Sequence, residues 1–219
     1  MTLEFFEPIK LSIQVALLSS IIVFFVGISV GKLMARKKFK GKMIVETILL
    51  LPLVLPPSVV GFILLLLLGA SSPVGIWMEW LFDQPLVFTW WAAVIASTVV
   101  AFPLMYQAAK TGFEEVDKGI EDAARVDGAS ERTLFVRITL PLAKRAVVSG
   151  AILSFARALG EFGATLMVAG NIPGKTQTIP TAIYIAMDTG NLRLAWLWVV
   201  VMIFISFTML AMVYKVRKD

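Results

Sequence analysis

Long apolar runs separated by short charged ones set the pattern of this chain. Lys10 and Lys32 enclose 21 uncharged, mostly apolar residues, enough for a first helix to cross a bilayer. Glu46 and Glu79 enclose a second run, with Thr47–Gly69 as its apolar part, and Asp83 and Lys110 enclose a third. The third opens on Phe88, Trp90 and Trp91, side chains suited to a membrane interface. A fourth runs from Pro141 to Val168 with Arg157 and Glu161 inside it, and a fifth from Leu194 to Tyr214 behind Trp196 and Trp198. Thr178–Met187 is apolar but only about ten residues long, which predicts a re-entrant or surface helix rather than a sixth crossing. The pattern predicts an all-α integral membrane protein of about five transmembrane helices, residues 1–219 forming one membrane domain.

Basic residues set the expected orientation. The Lys32–Lys42 loop holds six of them, the 110–145 loop seven and the tail beyond Tyr214 three, out of 20 in the chain. The rule that cytoplasmic loops are rich in Lys and Arg then puts the N-terminus outside and the C-terminus in the cytoplasm. The opening MTLEFFEPIK has no basic leader, so the first span is expected to act as its own insertion signal. Composition agrees with a membrane location: 58% of residues are hydrophobic and the mean hydropathy is +0.86. Cysteine and histidine are both absent, which removes disulfides, thiol nucleophiles, imidazole bases and most zinc or haem ligation. Without paired carboxylates in the spans as well, a membrane enzyme is disfavoured.

Three stretches break the apolar pattern. The second span contains Pro52, Pro56 and Pro57, followed by Ser58. Each proline removes a backbone donor, so this helix is expected to bend or break, either to fit the bundle or to line and gate a path. Arg157 and Glu161 lie four apart, on one face of a continuous fourth helix, where an ionisable group requires a partner. They read as a structural pair or as an oxyanion-attracting gate, with Gly160 and Gly163 allowing close approach and Thr165 nearby. Gly170–Thr176 ends like a phosphate loop, but it has three residues between its glycines where that loop has four, so no ATP site is expected here.

The third stretch is Glu121–Pro141, a soluble-looking insert within the balanced 110–145 loop of seven basic and seven acidic residues. Asp117 is placed to cap a short helix that Gly128 ends in a left-handed turn. Ile120, Ala123, Ala124 and Asp127 recur at helical spacing and make a narrow face of small residues, with Glu121, Asp122 and Arg125 beside it. Leu134, Phe135 and Ile138 form a second apolar patch, and Pro141 is placed to restart a helix. An ordinary solvated loop helix and a docking element both fit these residues.

The spacing is more specific. Asp122-Ala123-Ala124, three residues, Gly128, nine residues, then Ile138-Thr139-Leu140-Pro141 resembles the E-A-A signature of ABC importer permeases, with Asp122 in place of Glu and Glu121 one position earlier. The runs Leu51–Pro57, Phe102–Met105, Phe155–Thr165 and Asn171–Gly174 are similar to the molybdate permease subunits of that family, and more weakly to the sulfate permeases. The resemblance implies a type I importer permease in the inner membrane of a prokaryotic cell. It also implies a homodimer with two ABC ATP-binding subunits and an external binding protein for molybdate or tungstate. The coupling loop would be residues 111–141, through Glu121, Asp122, Ala123, Ala124, Gly128, Phe135, Ile138, Leu140 and Pro141. Pro56, Pro57, Ser58, Arg157, Glu161, Gly163 and Thr165 would line or gate the path. No cofactor would be held by this chain, ATP-Mg being used by the partner, and no nucleic acid is expected. Sulfate, thiosulfate or another small anion as cargo, and a passive channel or scaffold, are the alternatives.

Overall fold

In the computed structural model, which describes residues 2–218, α5 (Trp90–Glu114) is the helix around which the others are arranged. Its sequence explains why. Ala92, Ala93, Ala96, Val100, Ala101, Met105, Ala109 and Phe113 are all buried, so small residues let neighbouring backbones approach from more than one side. α1 (Thr2–Arg36) lies along α5 through Gly27 and Gly31. A Cβ at Gly27 would fall 2.7 Å from Met105 Cγ, and one at Gly31 2.9 Å from Ala109 Cβ. On the other side, α9 (Lys144–Leu159) meets α5 through Gly150, and Gly112 of α5 faces Ala146 of α9. These contacts make α1, α5 and α9 one block.

The second predicted span is broken. α2 (Lys42–Val54) and α3 (Pro57–Leu68) are bent by 114° at Leu55–Pro56. Pro52 is accommodated inside α2; the break comes at the Pro56-Pro57 pair, where the missing donors coincide with the first turn of the new helix. Ser72 then caps α4 (Pro73–Phe82), accepting from Gly75 N–H at 2.8 Å.

The fourth span differs more from expectation. Rather than one helix from Pro141 to Val168, the chain forms α8 (Leu140–Leu142), bends by 73° near Ala143, continues as α9 and stops at Leu159. Gly160 caps α9, and α10 (Gly163–Ala169) is a separate short helix. α11 (Ile179–Asp188) is the short helix expected there, at about 1.5 Å per residue too short to cross. It is pinned to α1 by Ile179 N–H donating to Ser12 Oγ at 2.7 Å. α12 (Leu192–Lys218) closes back on α1 through Trp198 Nε1, which donates to Phe5 O at 3.0 Å. Among the described residues, α1, α5 and α12 are long and apolar enough to cross a membrane alone, and the count reaches 5 when each bent pair is taken as one span.

A side chain at Gly31 has no room against α5, whereas Gly160 has nothing nearer than Ala156 O at 3.5 Å. Gly31→Val is expected to cost ~1–3 kcal/mol by overpacking and to lower the melting temperature in detergent by several degrees. Gly160→Ala is expected to leave it nearly unchanged, both read by fluorescence-detected thermal unfolding of the purified chain.

Candidate functional site

The charged segment after α5 folds from local rules. Asp117 caps α6 (Lys118–Val126), its carboxylate accepting from Gly119 N–H at 2.7 Å. Gly128 ends the helix at φ 88°, and Gly128 and Ala129 N–H groups return to the carbonyls of Arg125 and Ala124. Ser130 then caps α7 (Glu131–Leu134), which passes into a π-helical turn, Phe135–Thr139. The turn across Gly128 is clamped by one guanidinium: Arg125 donates to Asp122 at 2.7 Å and to Glu131 at 2.7 Å. The Arg125 guanidinium holds the Glu131 carboxyl below the usual carboxylate range, and the same contacts raise the pKa of Arg125 itself.

The helix presents two faces. Ile120, Ala123 and Asp127 are exposed and Ala124 is half-buried, so the expected small-residue face looks outward. Asp122 and Gly128 are also exposed. Glu121 points the other way and is only 5% exposed. Its carboxylate meets Arg36 Nη2, from the last turn of α1, at 2.8 Å and accepts from the buried Thr139 hydroxyl at 2.7 Å. Glu121 thus joins α6 to α1 and to the π-helical turn rather than flanking the outward face.

Phe135 and Leu140 are half-buried against the α1–α5–α9 core, and Leu134 is buried. Phe135 lies 5.8 Å from the Phe113 ring and carries Lys32 Nζ 3.7 Å above its own. Ile138 is half-buried and Pro141 exposed. The second apolar patch therefore anchors the segment inward. Arg36, Thr139 and Lys32 enter this arrangement without any signal in the sequence, since each is an ordinary loop or helix-end residue until the fold pairs it.

The other candidate residues meet where two broken helices touch. Gly163, at the start of α10, leaves no more than 3.1 Å between an added Cβ and Pro57 Cβ, and 3.4 Å to Ser58 N. Gly61 packs as closely on Ala164. Pro56, Pro57 and Ser58 are exposed, while Thr165 is buried. Arg157 and Glu161 are paired, Nη1 to Oε2 at 2.7 Å, but not along one helix, because Glu161 lies beyond the end of α9. Its second oxygen accepts from Ala164 N–H at 2.8 Å. Glu161, 2% exposed, satisfies the start of α10 with one oxygen and a span cation with the other, while Arg157 stays partly exposed.

Comparison with known proteins agrees with this architecture. Residues 23–218 match the family described as the binding-protein-dependent transport system inner membrane component. YvgM of Bacillus subtilis (strain 168), which carries the name of a molybdenum transport system permease protein, is 60% identical over 207 residues, 94% of this chain and 91% of that protein. The molybdenum transport system permease protein ModB of Haemophilus influenzae (strain ATCC 51907 / DSM 11121 / KW20 / Rd) is 44% identical over 84% of this chain and 80% of its own. A bacterial ABC transporter involved in import of the acidic polysaccharide alginate has the same fold, with a TM-score of 0.73 at 17% identity, covering 98% of this chain and 78% of that one. An outward-facing small-residue helix fastened inward to a bundle of broken and small-residue-packed membrane helices is thus found in a chain that belongs to the inner-membrane components of binding-protein-dependent transport systems.

Proposed function

We propose that this chain is the permease subunit of an ATP-driven importer of molybdate or tungstate, working by alternating access. The observation that carries the mechanism is the division of α6 into an outward face of Ile120, Ala123 and Asp127 and an inward bolt at Glu121. The names of relatives at 44% and 60% identity support the cargo. The charged segment lies in the cytoplasm with both its neighbouring basic loop and the C-terminus, and the N-terminus lies outside, in keeping with the distribution of Lys and Arg. Two copies of the chain form the path, two ATP-binding subunits sit beneath them, and an external binding protein delivers the anion. ATP and magnesium belong to the partner; this chain supplies the path and the lever.

Closure of the ATP-binding subunits displaces α6. Its ties to Arg36 and Thr139 carry that displacement into α1 and α9 together, because small-residue packing on α5 leaves those helices little freedom to move separately. The motion is taken up at the two breaks, Leu55–Pro56 and Gly160–Phe162, which are in contact through Pro57 and Gly163. Arg157 lies about 20 Å along α9 from Lys144 and has guanidinium donors beyond the one given to Glu161, suited to a passing oxyanion.

Reconstituted with its ATPase and binding protein, the transporter is expected to show ATPase activity stimulated by molybdate and tungstate; no response to either overturns the cargo. Ala123→Glu changes an exposed residue and is expected to abolish both uptake and co-purification with the ATPase while the chain still folds. Arg36→Glu is expected to lower uptake at least tenfold per ATP hydrolysed, and the charge swap Arg36→Glu with Glu121→Arg to restore a substantial part of it. Arg157→Gln is expected to reduce anion uptake with ATPase binding intact; normal uptake would remove Arg157 from the path.

A further inference from the structure

Between the end of α1 and α6 lies a cavity of about 380 Å³, lined in part by the Arg36–Glu121–Thr139 tie and in part by three lysines that take no part in it. That is far more space than a single ion needs. Its walls carry five cations and three carboxylates, and the pairing among them is uneven. Arg36 takes Glu121, and Arg125 takes both Asp122 and Glu131. All three carboxylates are therefore held by the two arginines. Lys32, Lys37 and Lys118 face the cavity with no ion pair among the described residues; Lys32 rests on the Phe135 ring, and its charge also helps hold the Glu131 carboxyl below the usual carboxylate range.

Two further features say what kind of group these lysines fit. The uncharged run of α1 spans 21 residues between Lys10 and Lys32, about 32 Å, close to the thickness of a bilayer's hydrocarbon core. Lys32 therefore emerges at its edge and Lys37 at the level of lipid headgroups. On α6, the cavity-facing positions Lys118, Glu121, Asp122 and Arg125 alternate with the outward Ile120, Ala123 and Asp127. A subunit docked on the outward face leaves the cavity to another occupant. The 110–145 loop is electrically balanced by itself; folding places it against the basic end of α1, and the surplus appears only there.

We propose that this cavity binds a phosphate group, held by Lys32, Lys37 and Lys118, and that an anionic phospholipid headgroup or free inorganic phosphate supplies it. An anion seated beside Arg36 would bear on the Arg36–Glu121 tie, so occupancy would tune how firmly α6 is fastened to α1. The inference rests on the proposed docking of the ATP-binding subunits on the outward face of α6 and holds whatever the cargo is.

The test uses the full-length chain in a neutral maltoside detergent, titrated separately with dioctanoyl-phosphatidylglycerol, dioctanoyl-phosphatidylcholine and inorganic phosphate while thermal unfolding is followed. Phosphatidylglycerol is expected to raise the melting temperature by several degrees and phosphatidylcholine to have little effect. Lys37→Gln with Lys118→Gln, both exposed positions, should raise the half-saturating concentration at least tenfold. Lys38→Gln with Lys40→Gln, outside the cavity wall, should not move it. Stabilisation by inorganic phosphate at similar concentrations identifies the soluble anion as sufficient; stabilisation by phosphatidylglycerol alone identifies the lipid headgroup. Three results would each overturn the proposal: no stabilisation by either phosphate source, an unchanged midpoint in the Lys37/Lys118 variant, or loss of that variant's association with the ATP-binding subunits. The last would make the cavity wall a protein contact. Cargo-stimulated ATPase activity is scored separately, so failure of the transport reading and of the phosphate site remain distinguishable.

Discussion

A carboxylate taken out of water must be given partners, and the Glu121 carboxylate receives them from two distant places at once. Arg36 comes from the end of the longest helix and Thr139 from the turn that leads into α9. Without them α6 would be a short, polar, solvent-exposed helix held by the Arg125 clamp to α7, too short to be stable alone. With both, it is part of the bundle. The face carrying Ile120, Ala123 and Asp127 stays exposed while the opposite side of the same helix is fastened to the bundle.

The same economy of partners governs the interior of the membrane part. Breaking a helix there exposes backbone groups that lipid cannot satisfy. At Leu55–Pro56 the prolines reduce the number of donors left over, and the Leu55 N–H still returns to Leu51 O. At Gly160–Phe162 the orphan donor of Ala164 is met by Glu161, which also neutralises Arg157. Each break thus finds partners for some of the donors it frees, and the two meet through Gly163 and Pro57 with very little side-chain bulk between them. The junction is therefore lean in side chains on both sides.

Much of this was legible in the chain. The apolar runs between charges located the membrane helices, because burying helical backbone in lipid requires long uncharged stretches. The short α11, the cap at Asp117, the left-handed stop at Gly128 and a break among the second span's prolines all follow from local chemistry, and all appear in the structure. Local chemistry misjudged the fourth span. A spacing of four between Arg157 and Glu161 reads as one helical face, but the helix ends at Leu159, and Glu161 does more as a cap for the next helix than as part of the last.

Sequence by itself determined the all-helical membrane class, the turn at Gly128, the break among the second span's prolines and the signature in Asp122–Pro141, since each depends on residues within a few turns of one another. Only the tertiary structure decided that Glu121 faces inward to Arg36, that Phe135 anchors the segment beneath Lys32, and that Gly163 meets Pro57. Those are contacts between segments far apart in the chain. Their partners are common residue types with no local mark, and which of many lysines, arginines and glycines will meet is settled by how the helices pack. The surplus of cations beside α6 has the same origin: a loop that is neutral in sequence acquires a field only when folding places it against the basic end of α1.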